Sequence, residues 1–287
     1  MQVGLSTASF FPSYETPAAL DIICKYRAPV CEVFMNGPSQ YSPVFAKQCL
    51  KKANDAGVKI VSVHAMASQY EPQLFSPLAS QRSDAQDTLR RVLEAAAVME
   101  ARAHSFHGLL YYLNRPPGPM DYDKIARQTA EILKIYCEFD IIMAWENVHY
   151  AIFHKPDFPN EVQNRLYGAD NLMFCLDVKQ AALSYVDPCD FIEGIGDRLS
   201  HVHLCDVQGR MPRLPGEGEL DFPALAAKLA ECRAERKLSV MELEGSDSGV
   251  SSMRPVPALL ETYASCSTDV EEIINNMKKC QEIFAYV

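Results

Sequence analysis

Six residues able to bind a metal or move a proton end short apolar stretches of this chain: His64 in VSVHA, His107 in HSFHG, Glu146 in AWENV, Asp177 in FCLDV, His203 in HVHL and Glu242 in VMELE. A single His or Asp in such a place is commonly a hydrogen-bonded loop residue. Six in series point to a shared site for acid–base or metal chemistry. They recur at intervals of 26 to 43 residues, the length of a strand plus a helix with its loops. The pattern therefore predicts a repeating β/α unit. In a closed barrel of such units, side chains at the carboxyl ends of the parallel strands converge on one mouth.

The elements that must position these residues can be read coarsely. Strands are predicted near 2–6, 30–35, 58–64, 103–107, 141–146, 171–177, 200–204 and 238–243. Helical patterns fill the gaps. One starts at Ser83, where Ser83 and Gln86 have the spacing of a capping box. Others cover Asp121 to Phe139, Asp221 to Cys232 with Pro223 in the first turn, and Thr268 to Phe284. Eight strands alternating with helices predict a parallel sheet closed as a single (β/α)8 TIM barrel, one domain over residues 1–287.

Composition agrees with an enzyme of small molecules. The net charge of −10 and isoelectric point near 5.2 oppose an extended phosphate-backbone interface, so no nucleic-acid partner is expected. The ten cysteines are scattered, with no CxxC pair, and residues such as Cys31, Cys175 and Cys205 read as small buried hydrophobes. Met1 leads directly into a predicted strand, and no apolar run approaches a membrane span. A cytoplasmic protein without a membrane partner is the expectation.

Strand parity sorts the candidates, because residues two apart share a face. If Phe106 packs outward against helices, His107 points into the mouth and His104 does not. Asp177 aligns with Cys175, and His203 with the deeper His201, which reads as a hydrogen-bonded core residue. Parity does not separate Glu242 from Glu244. Glu242 is preferred because Gly245, Ser246 and Asp247 read as loop, which would put Glu244 at the rim.

The segment HVHLCDVQGRMPRLPGEGELDFPAL, with AWENV and FCLDVKQA, resembles the xylose isomerase-like TIM-barrel superfamily. The pattern is similar to that of its sugar phosphate isomerase/epimerase branch, which is related to endonuclease IV. The specific part is a His-x-His-x-x-Asp followed by Pro-Gly-x-Gly-x-x-Asp-Phe. The resemblance implies that Glu146, Asp177, His203 and Glu242 bind one divalent metal ion. Three carboxylates and one imidazole suit Mn²⁺, Mg²⁺ or Co²⁺, and Zn²⁺ is also compatible. It implies a sugar, sugar phosphate or polyol substrate that is isomerised or epimerised through a metal-stabilised enediolate, with Glu146 and Glu242 as acid and base.

Other roles follow from the same resemblance. His64 and His107 would contact substrate, and Arg210 or Arg213 would grip it from the loop before PGEG. Asn147 would orient a neighbour or touch substrate, and Glu32 would hydrogen-bond a site histidine or cap its strand. The glycines of PGEGE read as turn formers, since no phosphate-loop fingerprint follows. Where the family often has Asp-Thr-x-His, this chain has Asp177-Val178-Lys179-Gln180. Gln180 is a poor zinc ligand, which weighs against a trinuclear nuclease and leaves it as a substrate contact, and Lys179 could pair with a substrate phosphate or carboxylate or simply be exposed. A keto-polyol dehydratase on the same metal site is the alternative, followed by an endonuclease IV-like zinc phosphodiesterase and a non-catalytic sugar-binding barrel. Relatives are often dimers or tetramers, so a homo-oligomer is compatible with the resemblance.

Overall fold

A computed structural model describes residues 1–111, 119–166, 168–244 and 256–287, with the backbone alone given for 235–244. Its strands are β1 (Val3–Ser6), β2 (Val30–Met35), β3 (Lys59–Ala65), β4 (Ala103–Phe106), β5 (Ile142–Glu146), β6 (Leu172–Asp177), β7 (Leu199–Leu204), a short hairpin of β8 (Asp206–Gln208) and β9 (Met211–Arg213), and β10 (Ala258–Leu260). Eight of them close a parallel barrel in the order β1-β10-β7-β6-β5-β4-β3-β2. The helices are α1 (Thr16–Lys25), α2 (Pro43–Ala56), α3 (Glu71–Leu74), α4 (Ala79–Val98), α5 (Tyr122–Phe139), α6 (Phe158–Gln163), α7 (Val178–Leu183), α8 (Pro188–Ile195), α9 (Phe222–Glu244) and α10 (Val270–Ile283). Among the described residues no helix is long and apolar enough to cross a membrane.

The barrel strands are buried on both faces because helices cover them outside and side chains fill them inside. Phe106 and Trp145 point outward and pack edge to face, with centroids 5.5 Å apart. Inside, Ala103, Ala144 and Cys175 form a layer of small residues. Gly4 permits a close approach of β1 to β2, since a Cβ there would lie 1.8 Å from the Val30 carbonyl oxygen.

Seven of the eight predicted barrel strands form where expected, within a residue or so at each end. The eighth does not. Residues 238–243 lie within α9, which runs well beyond the predicted end at Cys232, and the strand that closes the barrel is β10. The α4 start also differs: the helix begins at Ala79, and Ser83 is inside it. The turn before it is closed by Ser76, whose Oγ accepts from the Leu78 amide while Arg82 donates to the Ser76 and Pro77 carbonyls. These bonds start the helix a turn earlier than the Ser83–Gln86 box implied. By contrast, Asp121 caps α5 and Asp269 caps α10 through their side chains.

Parity assigns His104 correctly to the outer face. It is fully buried between the hydroxyls of Tyr136 and Tyr70, at 2.7 and 3.2 Å. Burial first, and then the charge of His64, pull its pKa down to about 3. In the unfolded chain the ring protonates near 6.5. Because the unfolded state then binds the extra proton, the His104 contribution to stability rises with pH between about 3 and 6.5. Acidification from pH 7 to 5 is expected to cost about 2 kcal/mol through this residue. Denaturant unfolding of wild type and His104→Gln at both pH values checks this, and an equal loss in the two proteins would remove His104 from the account.

The hairpin is built around one carboxylate. Asp206 accepts hydrogen bonds from the amides of Val207, Gly216, Gly218 and Leu220 at 2.7–3.0 Å. A Cβ on Gly218 would sit 2.2 Å from the Val207 oxygen and 2.5 Å from Asp206 Oδ1. The PGEG glycines are thus turn formers wrapped around Asp206.

Candidate metal centre at the barrel mouth

Four adjacent barrel strands bring four buried side chains of metal-binding type to one point. Glu146 ends β5, Asp177 ends β6, His203 lies near the end of β7, and Glu261 follows β10. One potential ligand atom from each lies within 4.8 Å of all the others. His203 Nδ1 is 3.5 Å from Glu146 Oε2 and 3.4 Å from Glu261 Oε2. The expected fourth glutamate does not end a barrel strand. Glu242, like Glu244, belongs to α9, and the described residues do not include its side chain; Glu261 stands at the eighth strand end instead.

Three of the converging atoms, Glu146 Oε2, Asp177 Oδ2 and His203 Nδ1, have no hydrogen-bond partner among the described residues. Leaving three polar atoms buried and unsatisfied is costly, and a divalent cation among them would satisfy all three. The set of three carboxylates and one imidazole fits such an ion. The charges are strongly interdependent. Burial raises the pKa of Asp177 to about 6, opposed by Lys179 and reinforced by Glu146 and Glu261. Burial also opposes ionisation of Glu146, but His107 and His203 outweigh it and hold that carboxyl well below its ordinary range.

Glu32 forms the floor of the site. It is fully buried on β2 and accepts from the hydroxyls of Ser6, Ser62 and Ser105 at 3.0, 2.8 and 2.9 Å. Its Oε2 lies 3.3 Å from His203 Nε2. With the proton on Nε2 donated to Glu32, His203 presents the lone pair of Nδ1 to the converging carboxylates. Glu32 thus bonds a site histidine, the first of its two expected roles. Below it, His201 is a core residue, with Nε2 3.0 Å from Ser105 Oγ and Nδ1 3.1 Å from Ser200 Oγ.

His64 and His107 both reach the mouth. His64 Nδ1 is 3.1 Å from Glu261 Oε1, His64 Nε2 is 3.1 Å from His107 Nε2, and His107 Nε2 is 3.4 Å from Glu146 Oε2. Burial opposes the charged form of His64, but the hydrogen bond to Glu261 and the charges of Glu261, Glu32 and Glu146 raise it to about 9. His107 is held from behind by Glu71, a residue the sequence did not single out. The Glu71 Oε2 accepts from the amides of His107 and Gly108, each at 2.7 Å.

The remaining predicted site residues divide. Lys179 is buried in α7, with Nζ 3.4 Å from Asp177 Oδ2 and 4.9 Å from the centre of the Tyr263 ring. Burial disfavours its charge, but Asp177 outweighs this and keeps it an ammonium. The Gln180 amide donates to Asp177 Oδ1, while its side-chain oxygen pairs at 2.5 Å with Nδ1 of His149, a second residue missed in the sequence. Burial lowers the pKa of His149; the Gln180 contact opposes this, and the charges of Arg210 and Lys179 add to it. Asn147 is fully buried and spends its side chain on the Asp177 backbone, accepting from N at 2.7 Å and donating to O at 2.9 Å. It fixes the end of β6, and its side chain is buried rather than open to the mouth. Arg210 is exposed on the β8–β9 turn and donates to the Tyr185 hydroxyl at 3.2 Å, while Arg213 bonds Gln208.

The model of the family described as xylose isomerase-like TIM barrel matches residues 29–262. The chain belongs to that family. No curated protein matches this xylose isomerase-like barrel in sequence. Among solved structures it is similar to a D-psicose 3-epimerase solved in the presence of D-fructose, at 14% identity over 99% of both chains with a TM-score of 0.77. It is likewise similar to the 3-keto-D-glucoside 4-epimerase YcjR from E. coli, at 12% identity over 98% of this chain and 99% of that one, TM-score 0.73. A third neighbour is the IOLI protein with a bound zinc atom, at 13% identity over 99% and 98%, TM-score 0.74. At these identities the likeness is one of fold.

Proposed function

We propose that the protein is a divalent-metal-dependent isomerase or epimerase of a sugar or a related polyol, with Glu146 and Glu261 as its acid–base pair. The carrying observation is a chain of side chains across the mouth. Glu146 and Glu261 stand at the two ends of the ligand arc, each beside its own imidazole, His107 and His64, and the two imidazoles are 3.1 Å apart. Two carboxylates so placed can act on opposite sides of one carbon, one taking a proton and the other returning it.

A divalent ion held by Glu146, Asp177, His203 and Glu261 would polarise a substrate carbonyl and acidify the neighbouring C–H. The rest of the work belongs to the chain. Glu32 fixes the His203 tautomer, Asn147 and the Gln180 amide fix Asp177, and Glu71 fixes the backbone at His107. His64 and His107 are placed to bond substrate hydroxyls and to pass charge between the two glutamates. The sugar-epimerase neighbours and the zinc-holding neighbour support this reading through the shared fold.

Metal content per chain, measured by mass spectrometry on protein purified without chelators, is the direct test. About one divalent ion per chain is expected, lost in Asp177→Ala, with solvent deuterium entering a sugar in the wild type alone. No ion after incubation with Mn²⁺, Co²⁺, Mg²⁺ and Zn²⁺ would reject the proposal.

A further inference from the structure

Two cysteines far apart in the chain meet beside the metal centre. Cys205 directly follows β7, two residues after His203, and Cys266 comes five residues after Glu261. Their sulfurs are 3.8 Å apart and share a hydrogen bond. Cys205 is fully buried, whereas Cys266 is partly exposed. The Cys266 sulfur also contacts the Thr262 carbonyl at 2.6 Å, and Cys205 contacts the carbonyls of Asp206 and Arg213 at 3.5 Å. The hydrogen bond to Cys205 favours ionisation of Cys266; burial opposes it, and the charge of Lys179 favours it. Partial exposure beside positive charge is the setting of a reactive thiol, and Cys205 stands where a resolving thiol would.

The two sides of the pair differ in freedom. Cys205 sits between a barrel strand and Asp206, whose carboxylate is held by four amides. Cys266 closes a turn through its amide to the Tyr263 carbonyl, and Tyr263 has a φ of 55°, a strained value for a tyrosine. Joining the sulfurs requires their separation to fall to about 2.05 Å, and the turn is the side that can give. The same turn reaches the metal centre, because the Tyr263 hydroxyl donates to Glu261 Oε1 at 3.2 Å.

We propose that Cys205 and Cys266 form a reversible disulfide on reaction with hydrogen peroxide, and that this bond draws the Tyr263 turn toward β7 and loosens Glu261 at the metal centre. The chemistry balances in two steps. The ionised Cys266 sulfur attacks one peroxide oxygen, the O–O bond breaks, and the departing hydroxide takes a proton to become water, leaving a sulfenic acid on Cys266. The Cys205 sulfur then attacks the Cys266 sulfur, the S–O bond breaks, and hydroxide leaves with the Cys205 proton as a second water. Two thiols are oxidised and one peroxide is reduced. The disulfide itself is independent of the reaction proposed above; its effect on Glu261 rests on that reading.

Peptide mapping by mass spectrometry, on protein treated with hydrogen peroxide and then blocked at its free thiols, tests the bond. Calorimetric titration of the same samples with Mn²⁺ tests its effect. A peptide linking Cys205 to Cys266 is expected, removed by dithiothreitol, with Mn²⁺ affinity falling by about 10–100-fold on oxidation and recovering on reduction. Cys266→Ser should bind Mn²⁺ like the reduced wild type and keep that affinity after peroxide; Cys205→Ala serves if the serine variant does not fold. Absence of the linked peptide at a peroxide dose that oxidises the exposed Cys137 would overturn the proposal. So would the linked peptide with unchanged Mn²⁺ affinity, or an equal loss of affinity in Cys266→Ser, which would assign the effect to other oxidised groups. Reduced wild type that binds no Mn²⁺ would defeat the metal centre and with it the effect on Glu261, while the linked peptide still decides the disulfide.

Discussion

Glu261→Gln is expected to leave a folded barrel whose turnover is lower by about 10²–10⁴, the range for loss of a positioned acid–base group, while Glu242→Gln turns over like the wild type. The two glutamates are alike in chemistry and differ in placement. Glu261 follows a barrel strand and contributes Oε2 to the ligand cluster and Oε1 to His64, whereas Glu242 is part of α9. The amide of the glutamine variant can still accept from His64 and Tyr263, which bonds Oε1 at 3.2 Å, so packing is preserved. It cannot hold or release a proton near neutral pH. Exchange of the substrate C–H with deuterium, followed with metal content in the same samples, distinguishes lost proton transfer from lost metal. Equal activity of both variants would sink the two-glutamate mechanism, and loss in Glu242→Gln alone would reverse the assignment.

Glu32→Ala is expected to destabilise the protein by about 3–5 kcal/mol, as when one partner of a buried charged network is removed. Three serine hydroxyls and His203 Nε2 would lose their common acceptor, in an interior where water does not readily replace it. Metal affinity should fall as well, because Glu32 accepts from His203 Nε2 and so keeps Nδ1 toward the carboxylates. The midpoint of urea unfolding and the dissociation constant for Mn²⁺ measure the two effects. A midpoint unchanged from wild type would mean that the barrel interior is hydrated enough to dispense with Glu32.

Most of the site was legible because a buried strand gives a strong local signal. FCLDV and HVHL read as strands from their apolar runs, and period-two parity then placed His107 inward and His104 outward. The eighth strand was misplaced for a reason of the same kind. VMELE has the look of a strand end, but it continues a helix, and a short mixed run cannot be assigned by periodicity alone. The true closing strand, ALL, is three residues long and carries no period of its own. Spacing reinforced the mistake, since Glu261 lies farther from His203 than any earlier interval in the series. Glu71 and His149 were illegible for another reason: they act from segments between strands, where only tertiary contact shows what a side chain holds. Asn147 was visible as a polar residue beside Glu146, but its burial and its two bonds to the Asp177 backbone belong to the folded state.

Asp206 makes the PGEG turn a receptor that carries its own ligand. Four amides directed at one point would ordinarily form a small anion-binding nest, open to whatever oxyanion the medium supplies. Here the anion is tethered by a covalent backbone, so its effective concentration far exceeds that of any free competitor. The turn is thereby insulated from ambient phosphate.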